Sequence, residues 1–284
     1  MPMIAQEIFI ANQQKLNTTT QAIQKAGANK IHVLADFDGT LTTFFANGVK
    51  SPSIVSQIRN GDYLSVDYSK KAHELFDYYA PKERDESLSF ERRKAFMHEW
   101  WTRHFELIAQ SGFSKAVIQR IITNSTIQFR EYTKEFIDLL EINNIPLVIM
   151  SAAPGDMLIE HLKHSNLLRP NIHVIANLYE FDTAGKALKI REPIIHSLNK
   201  SDVAIHGFPA FELIRNRPNV ILLGDNIGDA GMAEGFAYEH LIKIGFLNEQ
   251  VEERKKEYLE NFDMVLTNDT TMQPIITLLE EFMK

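Results

Sequence analysis

The chain has 284 residues, of which 44% are hydrophobic and 24% are charged, so it can bury one large core or two smaller ones. Its net charge of −7 argues against a nucleic-acid polymer or an anionic membrane as the main partner. Cysteine is absent, which excludes disulfide bonds, thiolate metal ligands and a cysteine nucleophile.

The N-terminal stretch MPMIAQEIFIANQQKLN has no charged region followed by a long apolar run, so we predict no signal peptide. No stretch approaches the roughly 18–20 apolar residues of a membrane span. We therefore expect a cytoplasmic protein without a membrane partner, either a monomer or a weak homodimer.

Short apolar runs alternate with helical patterns along most of the chain. The runs predict buried parallel strands at 31–35, 146–150, 173–176, 219–223, 241–244 and, more weakly, 264–266. The intervening patterns predict helices at 134–143, 157–165, 210–215 and 249–261. This alternation predicts an α/β fold with a doubly wound parallel sheet, whose ligands bind beyond the carboxyl ends of the strands.

Two segments depart from this alternation. Residues 46–130 contain no clear buried strand and carry helical patterns such as EWWTRHFELIAQ. We therefore predict an α-helical insertion there, with the core domain formed by residues 1–45 and 131–284. Residues 179–190 alternate around a Thr-Ala-Gly turn, which predicts a β-hairpin.

The first strand ends in the sequence DFDGT, which contains Asp36 and Asp38. Strand alternation puts both carboxylates on one side, where they repel each other and lose solvation. A magnesium ion, which prefers oxygen ligands, would offset both the repulsion between the carboxylates and their lost solvation. One aspartate can then attack phosphorus while the other gives a proton to the leaving oxygen. The alternative is a strand-end turn with two capping aspartates.

Three further polar elements follow in the chain. Ser151 comes after the second strand and before a helix, a position that suits phosphate binding or, alternatively, an ordinary helix cap. Lys200 lies in HSLNKSD and, taken alone, is typical of a solvated surface cation. Asp225 and Asp229 follow the fourth strand in GDNIGD, which is either half of a magnesium site or a polar turn.

The four elements together match what phosphoryl transfer requires. They supply a nucleophile, a proton donor, a cation against the spreading charge, and donors for the phosphate oxygens. Chance assembly of the whole set, mostly just after predicted strands, is improbable.

This set resembles the four motifs of the haloacid dehalogenase superfamily and, more narrowly, the cytosolic pyrimidine 5′-nucleotidase family of type III. The narrower resemblance spans roughly residues 24–268. It is carried by QKAGANKIHVLADFDGTLT, YYAPKE, EWWT, SAAPGDMLIEHL, NLYEFDTAGKAL, IHSLNKSD, NVILLGDNIGDAGMAEG and IKIGFLNEQVEE. The resemblance implies a Rossmann-like core, a helical cap of the C1 type at residues 46–130, and magnesium-dependent hydrolysis of nucleoside 5′-monophosphates.

The resemblance also implies roles for the aspartates. Asp36 is similar to the nucleophile that becomes an aspartyl-phosphate, and Asp38 to the general acid, whose backbone carbonyl ligates magnesium. Asp225 resembles the third protein ligand. Asp229 resembles the acidic residue that supports the lysine and the metal shell.

Phosphate and base recognition follow from the same resemblance. Ser151 and Lys200 match the pair that grips phosphate, with Ala152 adding a backbone N–H. In the cap, Glu83 falls where the family recognises the nucleobase, although a charged run such as APKERDES is typical of a solvated face. Trp100, together with Trp101 and Tyr79, is a candidate for stacking on the base, although a tryptophan there also suits the core of the cap.

The chain departs from the family pattern at several positions. Gly39 stands where methionine is common, and Ala153-Pro154 replaces a turn that contains glycine. His104 stands at a cap position that is more often small and polar; we expect it to contact the substrate or, alternatively, to pack against Trp100 four residues earlier. These departures leave the identity of the base open.

Three functions compete at this stage. The first is magnesium-dependent hydrolysis of pyrimidine nucleoside 5′-monophosphates. The second keeps the chemistry but changes the substrate to another small phosphomonoester, such as a sugar phosphate or phosphoserine, or adds phosphotransfer to an acceptor. The third is a catalytically idle protein that binds a nucleotide or a protein partner, which the intact set of carboxylates disfavours.

Overall fold

The computed structural model describes residues 7–46, 48–202 and 208–284. The strands described there are, in chain order, β1 (Ile8–Ile10), β2 (Ile31–Ala35), β3 (Phe45–Ala46), β4 (Val49–Lys50), β5 (Leu147–Pro154), β6 (Ile172–Asn177), β7 (Tyr179–Phe181), β8 (Ala187–Ile190), β9 (Asn219–Gly224), β10 (His240–Leu247) and β11 (Met264–Thr267). The α-helices are α1 (Gln13–Ala26), α2 (Ile54–Asn60), α3 (Tyr68–Glu83), α4 (Phe90–Gln110), α5 (Lys115–Thr123), α6 (Thr133–Ile142), α7 (Gly155–His164), α8 (Ala210–Ile214), α9 (Val251–Asn261) and α10 (Gln273–Glu281).

A seven-stranded sheet forms the centre of the fold, in the order β1-β11-β10-β9-β2-β5-β6. The neighbouring strands run parallel except at the β1 edge, which pairs antiparallel with β11. From β2 the chain moves outward through β5 and β6, then returns to β9 on the other side of β2 and moves outward again. The order therefore reverses between β2 and β9, and that is where a doubly wound sheet binds its ligand.

The central strands are apolar because helices cover both faces of the sheet. Each residue of β2 and each residue of β9 is buried. Two apolar clusters, one on each face, take alternate residues of these strands: Val33 and Ala35 pack on one side, and Leu34 packs on the other. A sheet buried on both faces is thus built from continuous apolar runs.

The helical insertion of residues 46–130 contains α2, α3, α4 and α5. Three of these helices begin after a serine whose hydroxyl accepts a backbone N–H of the first turn, namely Ser53, Ser89 and Ser114. Such caps satisfy donors that a helix start leaves free. The insertion begins at a small antiparallel pair, β3 and β4, which the sequence did not indicate.

The predicted elements are confirmed, with shifts at their ends. All six predicted sheet strands are present, and β5 continues through Pro154 with a register irregularity after Met150. The four predicted helices and the hairpin of β7 and β8 are also present. The sequence missed β1, a three-residue edge strand. The division into a core of residues 1–45 and 131–284 and a cap of 46–130 stays a prediction. Among the described helices, none has the length and apolar character to cross a membrane.

Candidate active site

Asp36 and Asp225 meet where the strand order of the sheet reverses. Asp36 follows β2 and Asp225 follows β9 directly. The two strands are in parallel register, with Ala35 opposite Leu223, and the Asp36 N–H donates to the carbonyl of Leu223 over 3.0 Å. Both side chains therefore leave the same edge of the sheet.

A third carboxylate completes a compact acidic group. Asp36, Asp225 and Asp229 each offer an oxygen, and these three oxygens lie within 4.8 Å of one another. Asp36 and Asp229 are almost completely buried. Buried carboxylates at this spacing repel strongly unless a cation lies between or beside them.

One cation is supplied by the chain itself. The Lys200 Nζ donates to Oδ1 of Asp36 over 2.5 Å and to Oδ1 of Asp229 over 2.7 Å. Burial by itself would lower the pKa of Lys200, but the carboxylates of Asp229 and Asp36 outweigh it and the pKa rises. Lys200 is therefore a charged, fixed contact between the first and last motifs.

Asp229 also holds the loop that carries Asp225. Its Oδ2 accepts the backbone N–H groups of Asp225 and Asn226, over 3.2 Å and 3.0 Å. Gly224 makes room for this arrangement, since a Cβ on that residue would lie 2.4 Å from the Cβ of Asp229. The sequence GDNIGD thus requires both its first glycine and its last aspartate.

Asp38 takes a different environment from the other three aspartates. Its Oδ1 accepts the N–H of Ile54, the first residue of α2, over 3.1 Å. Its carboxylate is not part of the acidic group, so any metal contact would come from its backbone carbonyl, as the resemblance implies. Burial and the charge of Asp36 raise the pKa of Asp38 to about 7. A carboxyl group with such a pKa can carry a proton near neutral pH, as a general acid must.

The negative charge exceeds what Lys200 can neutralise. Burial and the neighbouring carboxylates of Asp36 and Asp229 raise the pKa of Asp225 well above its usual range. An excess of carboxylate oxygens in a buried site is the donor set of a hard divalent cation. The residues therefore fit a metal ion held by Asp36 and Asp225, with Asp229 beside it.

The segment after Asp38 approaches Asp225 closely. Gly39 has φ +77°, and a Cβ there would lie 2.4 Å from Oδ2 of Asp225. A side chain at this position would need a strained left-handed backbone and a shift of the Asp225 carboxylate, both of which glycine avoids. The departure from methionine noted in the sequence is thus tied to the shape of this turn.

Ser151 lies at the same edge, on the other neighbour of β2. It is buried inside β5, two residues past Ile149, which faces Ala35. Its Oγ accepts the N–H of Ala153 over 3.1 Å. Asn177 fixes this segment, because its Nδ2 donates to the carbonyls of Ala152 and Ile195, over 2.7 Å and 2.8 Å.

A cavity of about 470 Å³ opens beside these groups. Its wall includes Asp38 and Asp225 from the core, and Lys50, Ser56 and Arg59 from the insertion. A larger cavity of about 840 Å³ lies between α1, β1 and α10, and the aspartates of the acidic group do not line it. The smaller cavity is the one placed for chemistry at the acidic group.

Comparison with known proteins decides the family. A family model described as pyrimidine 5′-nucleotidase (UMPH-1) matches residues 39–283. The chain belongs to this pyrimidine 5′-nucleotidase family. It is a 5′-nucleotidase, a phosphoric monoester hydrolase, as the sequence predicted.

Curated relatives of this nucleotidase are similar over nearly the whole chain. The 7-methylguanosine phosphate-specific 5′-nucleotidase of Gallus gallus is 35% identical over 94% of this chain and 93% of its own length. The protein of the same name from Homo sapiens is 35% identical over 92% of this chain and 88% of its own length. The relatives' names thus specify a modified purine nucleotide.

Solved structures agree on the fold. The crystal structure of cytosolic 5′-nucleotidase IIIB bound to cytidine superposes with a TM-score of 0.89, 29% identity, and coverage of 97% of this chain and 93% of that one. A substrate-bound phosphoserine phosphatase superposes with a TM-score of 0.53 at 14% identity, covering 87% of this chain and 96% of that one. The Rossmann-like core of the haloacid dehalogenase type is thereby confirmed.

The predicted base-recognition residues of this nucleotidase do not line the 470 Å³ cavity. Glu83 is the last residue of α3 and is half-buried. Trp100 is buried in the insertion, its ring stacked on that of Tyr79 at 6.3 Å and 9°. The core loop that carries Lys200 reaches this aromatic cluster through Leu198. Roles for Glu83 and Trp100 in base binding stay predictions.

His104 is packed in the interior of the insertion. It is 1% exposed, and its Nε2 shares a hydrogen bond of 3.0 Å with the hydroxyl of Tyr68. Burial lowers the pKa of His104 to about 3, so the ring is neutral. This placement favours the packing alternative over substrate contact, although the partner is Tyr68 instead of the Trp100 that helical spacing suggested.

Sequence reasoning missed two residues that hold the site together. Asn177, described above, joins the Ser151 segment to the loop before Lys200. Tyr258 on α9 donates its hydroxyl to the backbone carbonyl of Asp225. Asn177 is the first residue of NLYEFDTAGKAL, which carried the family resemblance without a role for this side chain, and its place at the end of a buried strand was the available signal. Tyr258 lies outside the motifs that carried the resemblance.

Proposed function

We propose that this protein is a magnesium-dependent 5′-nucleotidase that hydrolyses pyrimidine nucleoside 5′-monophosphates through an aspartyl-phosphate. The observation that carries the proposal is the meeting of Asp36, Asp225 and Asp229 around one point, with Lys200 bonded to two of them. When bound, magnesium would neutralise phosphate charge and screen the carboxylates from one another.

The chain's own groups account for the steps. An Oδ of Asp36 attacks phosphorus, the bond from phosphorus to the 5′ oxygen breaks, and Asp38 gives its proton to that oxygen. Water then attacks the phosphorus of the aspartyl-phosphate, the bond from phosphorus to the Asp36 oxygen breaks, and Asp38 accepts the water proton. Inorganic phosphate leaves and the Asp36 carboxylate is restored. Lys200, Ser151 and the Ala152 N–H are assigned to hold the phosphate oxygens throughout.

The pyrimidine assignment is supported by a cation in the cavity wall. The Arg59 guanidinium lies 4.0 Å from the ring centre of Phe76, which in turn contacts Trp100. Its Nε is buried and has no hydrogen-bond partner within the described residues. Where Arg59 lines the cavity, its guanidinium can donate to a cytosine or uracil carbonyl, whereas the cationic ring of 7-methylguanine would be repelled.

The second candidate substrate is 7-methylguanosine 5′-monophosphate. It is favoured by the names of relatives that are 35% identical over more than nine-tenths of this chain. Cytidine in the superposed cytosolic 5′-nucleotidase IIIB favours the pyrimidine instead.

A phosphate-release screen tests both candidates. CMP, UMP, AMP, GMP and 7-methylguanosine monophosphate are compared at equal concentration, with magnesium and with EDTA. We expect turnover with magnesium only, with CMP or UMP as the best substrate. Preference for the methylated nucleotide would select the second candidate, and turnover in EDTA would contradict the metal requirement.

Two variants and a wider substrate panel complete the test. Asp36→Asn should abolish turnover of every substrate. In a catalytically idle binding protein the same substitution would change nothing. Glu83→Gln should raise KM for the preferred nucleotide, while Glu86→Gln, at an exposed position three residues later, should not. Sugar phosphates, phosphoserine and nucleoside acceptors identify the broader phosphatase or phosphotransferase alternative. A cytoplasmic location and a monomeric or weakly dimeric state stay predictions.

A further inference from the structure

Arg130 is a buried cation outside the four motifs. Its side chain is 1% exposed, and its guanidinium lies 4.2 Å from the ring centre of Phe246. A buried guanidinium is costly unless each of its donors finds an acceptor. Arg130 meets this condition by donating five hydrogen bonds, whose acceptors lie in segments distant from one another in the chain.

Two of these contacts hold the turn that follows Asp38. The Arg130 Nη2 donates to the carbonyl of Gly39 over 2.6 Å, and Nε donates to the carbonyl of Thr40 over 2.9 Å. Asn248 donates to the same Gly39 carbonyl over 3.0 Å and accepts from Nη2 over 3.2 Å. Because a Cβ at Gly39 would touch Asp225, the position of this turn also sets the space around Asp225.

The remaining contacts tie Arg130 to the loop after β11. Its Nη1 donates to Oδ1 of Asp269 over 2.8 Å and to the carbonyl of Thr270 over 2.6 Å. Asp269 and its neighbour Asn268 have φ of 52° and 58°, a left-handed conformation that costs free energy for a residue with a side chain.

Asp269 in turn holds the segment that leaves for the insertion. Its Oδ1 and Oδ2 accept the backbone N–H groups of Phe44 and Phe45, over 2.8 Å and 2.9 Å. Arg130 itself belongs to the segment that returns from the insertion, where its N–H donates to the carbonyl of Leu41 over 2.9 Å. One ion pair, between buried Arg130 and half-buried Asp269, therefore contacts both linkers and the Asp38 turn.

We propose that Arg130 and Asp269 are positioning residues of the reaction, an ion pair that fixes the Asp38 turn and both linkers of the helical insertion in one geometry. Neither residue touches the substrate; they act through Gly39, Thr40, Phe44 and Phe45. The inference rests on the proposed roles of Asp38 and Asp225. Beyond those roles, Arg130 and Asp269 set the distance between the proton donor Asp38 and the metal-binding Asp225.

The test replaces each partner conservatively. Arg130→Lys keeps the charge but loses the planar fork, so it cannot reach Gly39, Thr40 and Asp269 together. We expect kcat to fall about 100-fold, the loss typical of a small misplacement of catalytic groups, with KM within about threefold of the wild type. The magnesium concentration for half-maximal activity should rise. Asp269→Asn, which weakens the same clamp from the other side, should show the same pattern with a smaller loss.

The control is Arg169→Lys, which changes another arginine held by carboxylates, those of Asp138 and Glu141, away from the site. Rates are normalised to the folded fraction measured by circular dichroism, so that lost stability is not read as lost chemistry. If Arg130→Lys does not fold, Asp269→Asn decides alone. A folded variant of either residue with kcat within twofold of the wild type overturns the proposal.

The substrate for this test is the best one from the screen or, if no nucleotide is turned over, para-nitrophenyl phosphate. Failure of the nucleotide assignment is then distinguishable from failure of the positioning role, because the variants are compared with the wild type on whatever it hydrolyses. Asp36→Asn gives the background rate.

Discussion

Asp225 is the carboxylate of the acidic group that forms no ion pair with Lys200. Lys200 bonds to Asp36 and Asp229, and the Asp225 carboxylate faces both of them in a buried site. Its ionised form is therefore the most destabilising charge of the group when no metal is present. This imbalance makes stability and metal binding depend on the same side chain.

Asp225→Asn is expected to stabilise the metal-free protein while abolishing catalysis. Removing one repelling charge should raise the midpoint of thermal unfolding in EDTA by about 3 °C, the shift that about 1 kcal/mol produces in a chain of this size. Magnesium should raise the midpoint of the wild type but not that of the variant. Differential scanning fluorimetry with and without magnesium measures both effects, with the exposed Asp62→Asn as control. A lower midpoint for Asp225→Asn in EDTA would contradict the repulsion.

Arg59 provides a second prediction at the scale of a single residue. Replacing its guanidinium by the neutral amide in Arg59→Gln removes a positive charge from the cavity wall. We expect kcat/KM for 7-methylguanosine monophosphate to rise about tenfold relative to that for CMP, equivalent to about 1.4 kcal/mol of discrimination. Arg92→Gln changes an exposed arginine of the same insertion, which lies over Phe96, and should leave the ratio unchanged. An unchanged ratio in Arg59→Gln would remove Arg59 from base selection.

The packing partner of His104 on helix α4 could not be read from the sequence of that helix. Its pattern predicts a helix correctly, and spacing of four residues suggests that His104 packs on Trp100. The actual partner, Tyr68, is the first residue of α3, and no local pattern reports which helices become neighbours. Burial of His104 between these helices makes the insertion sensitive to acid.

The stability of the insertion should fall below pH 6.5. An unfolded histidine takes up a proton there, whereas folded His104 stays neutral until about pH 3, so acid favours unfolding. Between pH 7.5 and 5.0 this residue should remove about 2 kcal/mol from the free energy of unfolding. The free energy of unfolding of His104→Gln, measured by urea denaturation, should therefore fall by about 2 kcal/mol less than that of the wild type over the same interval. His164→Gln, at an exposed position, should behave as the wild type. An equal pH dependence in His104→Gln would contradict the role of burial.

Strands were predictable to different degrees for a physical reason. The strands β2 and β9 are buried on both faces, so their residues are apolar without interruption and the pattern is visible in the sequence. The edge strand β1 has three residues, is partly exposed, and pairs with β11, from the other end of the chain. Its stability comes from a partner that local sequence does not reveal.

At the scale of the whole molecule, the motif residues were predictable because parallel strands deliver their ends to one edge. Asp36, Ser151 and Asp225 each follow or end a run that composition alone identifies as a strand. Arg130 was not predictable, because its importance comes from contacts with Gly39, Asn248 and Asp269, which are distant in the chain. A charged residue after the insertion carries no local sign of being buried.

The insertion and the core both contribute residues to the wall of the cavity at the site. Because a ligand there would contact both parts, we expect the insertion to move when the ligand binds. The Ile54 N–H of the insertion bonds to Asp38 of the core, and Lys50 pairs with Glu249 over 3.0 Å at the surface. We expect crystals of the ligand-free protein and of a phosphate-analogue complex to differ by closure of the insertion over the cavity, which excludes water during transfer. An insertion in the same position in both crystals would count against closure.

The separation of Asp36 from Asp225 along the chain has a consequence for how the enzyme is made. During translation Asp36 leaves the ribosome before Asp225 and Asp229, because Asp225 lies 189 residues later in the sequence. A nascent chain therefore has Asp36, the proposed nucleophile, before it has the rest of the acidic group. Catalytic competence must wait for β9 to insert beside β2, so truncated or prematurely released chains would be unable to hydrolyse cellular nucleotides.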